Sequence, residues 1–157
     1  MAAGIACLHG WKPPIVHRDL KSLNLLVDKG WTVKIGDFGT SRFTWSAQGQ
    51  LVSNLAQIKG TYSYTPPELF FGELFTAKGD VYAFGIVLWE LVTRVVAGRY
   101  LYPYHDSPAF QRAFQLLAMS ATKGLRPTLP ARCPLAFAAL IQACWHEKPE
   151  QRPTAAE

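Results

Sequence analysis

The stretch HRDLKSLNLL, residues 17–26, decides how the rest of the sequence is interpreted. It places a carboxylate (Asp19), an ammonium (Lys21) and a carboxamide (Asn24) in one short polar run, and two leucines follow at once. A carboxylate can accept a proton, a lysine can neutralise an anion, and an amide oxygen can bind a hard cation. The stretch therefore predicts a polar site that an apolar strand anchors.

Turn residues follow this stretch and predict a β-hairpin over residues 24–36. LNLLV and TVKI flank the sequence DKGW, in which Asp28, Lys29 and Gly30 are typical turn residues. DFG, residues 37–39, comes directly after the second strand. Because a hairpin returns the chain to its starting point, we expect DFG to lie beside the HRDLKSLN run.

The same hairpin is expected to bring Asp19, Asn24 and Asp37 to one edge. Asn24 and Asp37 offer oxygen ligands that suit Mg²⁺, an ion that keeps several waters and favours substrate phosphates. Lys21 can neutralise a transferring phosphoryl group, and Asp19 can accept a hydroxyl proton while it orients the nucleophile. The alternative is a helical domain in which these Asp and Asn residues only form turns.

Length and composition indicate a single ordered domain. The 157 residues are 49% hydrophobic and 13% aromatic, which is enough to bury a core. The net charge of +5 comes from scattered basic residues, so we interpret it first as surface charge and second as attraction for phosphate ligands. A nucleic-acid partner is not expected.

The cysteines and apolar runs indicate an intracellular, cytoplasmic protein. Cys7, Cys133 and Cys144 include no C-x-x-C pair, so a disulfide framework or a zinc site has little support. The apolar runs 81–92 and 135–145 are too short to span a membrane.

Hydrophobic periodicity predicts a mainly helical chain. Residues 2–9 have the pattern of a helix end, 80–93 are apolar nearly all round as in a buried helix, and 108–121 and 134–146 are amphipathic. Residues 40–59 carry little pattern, which is typical of a functional or mobile segment. The expected fold class is mainly α with a short β-hairpin.

These motifs together resemble the catalytic domain of protein kinases. HRDLKSLN, DFG and PPE are similar to the catalytic loop, the metal loop and the end of the activation segment. GDVYAFGIVLWELVT (79–93) resembles the central helix of the large lobe, and CWHEKPEQRPT (144–154) resembles its closing motif. The details are most similar to the tyrosine-kinase-like group of serine/threonine kinases.

The resemblance implies a kinase-like fold of which the chain is the C-terminal, large lobe. It implies a catalytic loop at 17–24, a metal loop at 37–39, an activation segment at 37–68 and a helical remainder at 69–157. The N-terminal lobe is expected to be absent, because the sequence contains no G-x-G-x-x-G loop, no V-A-I-K lysine and no partner glutamate. We therefore expect the chain alone to be inactive.

The resemblance also assigns roles at the expected site. Asp19 is implied as the catalytic base, Lys21 as the phosphate-contacting cation, and Asn24 and Asp37 as Mg²⁺ ligands. Leu26 is implied as the floor under the adenine of ATP. The expected cofactors are therefore ATP, as substrate, and Mg²⁺.

Further residues have structural or regulatory roles by resemblance. His17 and Phe38, the latter followed by Gly39 of DFG, would stack in the hydrophobic spine that joins the two lobes. Arg18 implies regulation by a phosphate in the activation segment; the alternative is a structural salt bridge. Asp80 would accept backbone amides near His17 and Arg18, or would act only as a helix N-cap.

The core is also predicted. Glu68 is expected to form a buried ion pair with Arg152. Trp89 and Trp145 are expected in the core. The histidines outside the catalytic loop, which have no acidic or cysteine partner at ligand spacing, are expected on the surface or in packing: His9, His105 and His146.

The expected partner is a protein that carries a serine or threonine acceptor. HRDLK-x-x-N goes with serine/threonine transfer in the family, and Gly60 and Thr61 would form the substrate shelf. Dual specificity stays open. Candidate phosphorylation sites in the activation segment are Thr44, Ser46 and Ser53.

The sequence departs from the family in one motif. PPE replaces the usual APE, so Pro66 stands where alanine is expected, which can stiffen the peptide shelf.

An alternative function is a lobe-only or pseudokinase module that binds a kinase or a substrate without catalysis. The sequence leaves the oligomeric state open.

Overall fold

A computed structural model describes residues 1–44 and 62–157. This part of the chain is mostly helical, with small antiparallel sheets, as the sequence predicts. The α-helices are α1 (Ala2–His9), α2 (Ala77–Ala97), α3 (Ala113–Thr122) and α4 (Leu135–Cys144). The strands are β1 (Ile15–Val16), β2 (Leu25–Val27), β3 (Val33–Ile35) and β4 (Arg42–Phe43). Short 3₁₀ turns lie at Ser22–Asn24, Phe38–Thr40, Tyr62–Tyr64, Pro67–Phe71, Pro108–Gln111 and Pro149–Gln151.

Helix α2 is the central element. The Thr76 side chain caps its first turn by accepting a bond from the Lys78 amide at 3.2 Å. Gly98, at φ +69°, ends it in the left-handed conformation that glycine adopts without strain. Most of α2 is buried, as its all-round apolar sequence predicts. Its buried side chains, Trp89 among them, form the main core together with Trp145 and other buried residues. The burial of both tryptophans confirms the prediction made for them.

Helix α4 packs directly against α2. The contact is close at Gly85, where an added Cβ would lie 2.8 Å from the Cβ of Cys144. A glycine here lets the two helix backbones approach, and burial raises the pKa of the Cys144 thiol to about 11. Helix α3 packs on the 3₁₀ turns at 62–64 and 67–71.

The predicted hairpin is confirmed. Strands β2 and β3 are antiparallel, with Leu25 opposite Ile35 and Val27 opposite Val33. The Asp28 carboxylate closes the turn by accepting bonds from two backbone amides, Gly30 at 2.9 Å and Thr32 at 3.0 Å. A second, two-stranded sheet pairs β1 with β4, Val16 opposite Arg42.

Residues 108–121 differ from the single amphipathic helix that was expected. Ser107 and Pro108 open a short 3₁₀ turn, in which the Ser107 hydroxyl accepts a bond from the Ala109 amide at 3.2 Å. Arg112 then leaves the helical region, with φ −123° and ψ 87°, and α3 starts at Ala113. Within residues 1–44 and 62–157, no helix combines the length and the apolar character needed to cross a membrane.

Candidate active site

The HRD motif is held by the first turn of α2. Asp80 accepts bonds from the amides of His17 and Arg18, both at 2.9 Å, as predicted. The N-cap of α2 is Thr76, so the anchoring role of Asp80 is confirmed over the alternative of a plain cap. Arg18 has φ +73°, which is strained for a residue with a Cβ, and the two amide bonds compensate for this strain.

His9 contradicts the expectation of a surface or packing residue without an acidic partner. Its Nε2 lies 2.9 Å from Oδ2 of the buried Asp80. Because the carboxylate is an acceptor, Nε2 is the donor. This pair has no recognisable sequence pattern, because its members are separated by 71 positions.

Three predicted site residues meet at the Asp19 carboxylate. Lys21 Nζ lies 2.6 Å from Asp19 Oδ2, and Asn24 Nδ2 donates to the same oxygen at 3.1 Å. Asn24 Nδ2 also donates to the Asp19 carbonyl at 2.8 Å. No donor among residues 1–44 and 62–157 is bonded to Asp19 Oδ1, so this oxygen can accept a proton from a further group.

Hydrogen bonds at Gly36 place Asp37 beside this group. The Gly36 amide donates to the Asn24 carbonyl at 2.8 Å, and His17 Nε2 donates to the Gly36 carbonyl at 3.0 Å. Asp37 itself has φ +59° and ψ +70°, and its Oδ1 accepts a bond from the Gly39 amide at 3.4 Å. The hairpin thus brings residue 37 to the same edge as the HRDLKSLN run, residues 17–24.

The oxygen atoms at this edge fit a Mg²⁺ ion. Asn24 uses its amide nitrogen for Asp19, which leaves Oδ1 as a ligand, and Asp37 is exposed with Oδ2 unbonded by the described residues. The described part of the chain has no group of three or more His, Cys, Asp and Glu side chains suited to a metal. Two protein oxygens match Mg²⁺, which takes its other ligands from water and phosphate.

An apolar face lies next to the polar cluster. His17 and Phe38 make the predicted ring contact, edge to face with centroids 5.0 Å apart. Phe38 is 48% exposed and Leu26, on β2, is 61% exposed. Leu23 and Trp31 are also exposed, and so are Val27 and Val33, whose side chains alternate to the opposite face of the hairpin from Leu26.

The predicted buried ion pair is confirmed. Arg152 donates to both carboxylate oxygens of Glu68, each at 2.7 Å, and both side chains are buried. The pair links the 3₁₀ turn at 67–71 to Arg152, the residue directly after the 3₁₀ turn at 149–151. Two parallel N–H···O bonds are the strongest geometry of this kind.

Arg42 is a residue that sequence reasoning missed. Burial is the main cause that lowers the pKa of Arg18, and the charge of Arg42 lowers it further, while Asp80 raises it. The pairing of Val16 with Arg42 also brings residue 42 beside the strand that leads into Arg18. No carboxylate of the described residues is within salt-bridge distance of the Arg18 guanidinium. The pairing of β4 with β1 produces this arrangement and had no clear sequence signal.

Some predicted residues fall outside this description. Gly60 and Thr61 of the expected substrate shelf, and the candidate phosphorylation sites Ser46 and Ser53, lie outside the described residues. Thr44 is described, and its hydroxyl donates to the Pro14 carbonyl at 3.2 Å.

Comparison with known proteins identifies the family. All 157 residues match the family model described as protein tyrosine and serine/threonine kinase. In Dictyostelium discoideum, stress-activated protein kinase alpha is 50% identical over 151 residues, which are 96% of this chain and 23% of that protein. A probable serine/threonine-protein kinase is 47% identical over 157 residues, 100% of this chain and 7% of that protein.

The dual specificity protein kinase shkA of the same organism is 41% identical over 153 residues, 98% of this chain and 27% of that protein. The chain thus spans 7% to 27% of the length of these three relatives. The family model matches residues 1–157, the whole of this chain. The chain belongs to the protein tyrosine and serine/threonine kinase family.

Proposed function

We propose that this chain is the C-terminal lobe of a serine/threonine protein kinase that transfers the γ-phosphoryl group of ATP to a protein. The observation that carries the proposal is the cluster at Asp19, where Lys21 and Asn24 share one carboxylate oxygen and leave the other to accept a proton. Asp37 lies at the same edge, as the two bonds at Gly36 require.

In the proposed reaction Asp19 orients the acceptor hydroxyl and takes its proton on Oδ1. The hydroxyl oxygen forms a bond to the γ-phosphorus as the bond to the β-phosphate oxygen breaks, which leaves ADP. Lys21 has two roles in this reaction. Its ammonium binds Oδ2 of Asp19, and it offsets negative charge on the transferring phosphoryl group. Asn24 keeps the carboxylate in place through its amide nitrogen.

Asn24 Oδ1 and Asp37 are the residues that would hold Mg²⁺. When bound, the ion neutralises phosphate charge. The 3₁₀ turn at 22–24 and the left-handed conformation of Asp37 support both ligands from the backbone. The exposed side chain of Leu26 would supply apolar surface under an adenine.

Serine and threonine are the proposed acceptors, since Lys21 stands in the position that goes with such transfer in the family. The relatives named serine/threonine kinases favour this specificity, whereas the name of shkA leaves dual specificity as the alternative. An ATP-consuming reaction also fits an intracellular location. The free thiols Cys7, Cys133 and Cys144 are compatible with it.

Arg18 and Arg42 are proposed to receive a phosphate in the activation segment. Two nearby guanidinium groups without an acid partner in the described chain suit a dianion better than a single carboxylate. Thr44, Ser46 and Ser53 remain the candidate sites.

The test is a transfer assay on the full-length protein that contains this chain. We expect Mg²⁺-dependent transfer to a serine/threonine peptide, and Asp19→Asn is expected to lower kcat by about 10²- to 10⁴-fold because the proton acceptor is lost. Phosphoamino-acid analysis of the product distinguishes serine/threonine transfer from dual specificity. Lys123→Gln, at the exposed C-terminal end of α3 and outside the site, is the control and should keep full activity.

Transfer that is unchanged by Asp19→Asn would contradict the proposal. A full-length protein that binds a kinase or a substrate but gives no transfer would instead favour the lobe-only binding module.

A further inference from the structure

A buried acid on α2 is not used by the proposed reaction. Glu90 is 4% exposed, and no Lys, Arg or His of the described chain lies within salt-bridge distance of it. Burial raises the pKa of this carboxyl, although hydrogen bonds from three hydroxyls oppose the rise. Burying an acid without a cation costs stability, so its partners indicate what it does.

One oxygen of Glu90 collects three hydroxyl groups. Oε1 lies 2.6 Å from the Tyr100 hydroxyl, 2.8 Å from that of Tyr64 and 3.2 Å from that of Ser22. Ser22 Oγ also lies 3.2 Å from the Tyr64 hydroxyl. Tyr64 donates its one proton to Glu90, so the single proton of Ser22 is directed at Glu90 Oε1 or at the Tyr64 oxygen beside it. The other oxygen, Oε2, is buried and has no partner in the described chain.

Two of the three donors, Ser22 and Tyr64, belong to functional segments. Ser22 directly follows Lys21 in the catalytic loop, and Tyr64 lies in the 3₁₀ turn between the expected substrate shelf and Glu68. Tyr100 lies after the end of α2, outside both segments, and is 52% exposed. The acid therefore joins the catalytic loop to the end of the activation segment.

Helix α2 then holds the catalytic loop at two points. Asp80 binds its first amides and Glu90 binds Ser22, ten residues further along the same helix, or about 15 Å at the usual rise. Asp19 and Lys21 lie between these two points. A rigid helix with an anchor on each side of the reacting groups fixes their position better than one anchor.

We propose that Glu90 is a positioning residue for phosphoryl transfer, which acts through the hydroxyls of Ser22 and Tyr64 to set the catalytic loop against the substrate shelf. This inference rests on the proposed function. Its consequence is that loss of either hydroxyl displaces the acceptor relative to Asp19. Loss of the Tyr100 hydroxyl, from the same oxygen, leaves both segments joined.

The test compares single hydroxyl deletions in the full-length protein. Tyr64→Phe and Ser22→Ala are expected to lower kcat on the order of tenfold, within the ~100-fold that a 1 Å displacement can cost, with KM for ATP unchanged. Tyr100→Phe is the matched control at the same acceptor. Tyr82→Phe is the control for a buried hydroxyl elsewhere, since Tyr82 bonds to Tyr104 and Ser120. Both controls should keep kcat within about twofold, because neither joins the two segments.

The outcomes separate the two proposals. If the wild-type protein transfers phosphate and all four variants keep the same kcat, or lose it in proportion to their loss of thermal stability, the positioning role is wrong and the proposed function stands. If the wild-type protein transfers nothing, the proposed function is wrong. As a second pair, Glu90→Gln keeps an acceptor oxygen and should retain more kcat than Glu90→Leu; equal values would also contradict the role.

Discussion

At the scale of single residues, Arg152 shows how one buried cation organises several segments. Its guanidinium is fully buried and lies 5.1 Å from the ring centre of Tyr82. It donates to five acceptors: both oxygens of Glu68 and the carbonyls of Lys78, His146 and Glu147. Every donor direction of the fork is therefore used, which is what a buried guanidinium requires.

Arg152→Met should destabilise the chain by about 3–5 kcal/mol, because it leaves the Glu68 carboxylate buried without its partner. The measurement is the free energy of unfolding in urea. Lys34→Met, which breaks the exposed pair with Asp28, is the matched control and should cost no more than about 1 kcal/mol.

The double variant Glu68→Gln/Arg152→Met separates the pair from packing alone. Because the two side chains share their bonds, its cost should be less than the sum of the single costs. A strictly additive result would mean that the pair contributes through packing and not through its charges.

Residue-level predictions succeeded where a motif defined both partners. Glu68 follows PP and Arg152 stands in QRPT, so the pairing was predictable across 84 positions. His9 and Ser22 carried no such signal, although each bonds to an acid of α2. Their partners lie 71 and 68 positions away, and only the folded chain brings them together.

At the scale of elements, the strongly patterned segments were predictable and the short ones were not. The apolar run around Trp89 predicted a buried helix, and α2 extends it to Ala77–Ala97 because Thr76 caps one end and Gly98 ends the other. The pair β1–β4 has two residues in each strand, too few for a period of two to be visible. Likewise the break at Arg112, where the backbone has φ −123° and ψ 87°, interrupts a run whose apolar periodicity continues through it.

Gly85→Ala tests how closely α2 and α4 pack. Alanine favours a helix by about 1 kcal/mol over glycine, but its Cβ would lie 2.8 Å from the Cβ of Cys144, an atom fixed to the α4 backbone. We expect the overpacking to dominate and to give a net loss of about 1–2 kcal/mol in urea unfolding.

Val95→Ala on the same helix is the control for propensity alone. Val95 is 82% exposed, so this change should leave the free energy of unfolding unchanged or raise it slightly. If Gly85→Ala and Val95→Ala changed the free energy of unfolding equally, α2 and α4 would be able to move apart around the added methyl group without loss of stability.

At the scale of the whole molecule, polar and apolar surfaces meet at one edge. Asp19, Lys21 and Asp37 supply the charges, and the exposed side chains of Leu26 on the hairpin and of Phe38 after it supply the apolar surface. The sequence predicted this meeting because a hairpin must return the chain. The support from Asp80 was predicted by resemblance. What the sequence could not predict is the second support beneath the loop, the bond from Ser22 to Glu90 on α2.

A nucleotide site normally encloses most of its ligand, and under the proposed function the exposed side chain of Leu26 would cover ATP from one side only. Leu26 is 61% exposed, and the sequence contains no glycine-rich loop to cover the phosphates. We therefore expect the isolated chain to transfer no phosphate from radiolabelled ATP above the level of its Asp19→Asn variant. The full-length protein, assayed in parallel, controls for the substrate and the conditions. Turnover by the isolated chain that Asp19→Asn abolishes would show that these residues alone suffice to hold ATP. The expectation that an N-terminal lobe is needed for transfer would then be wrong.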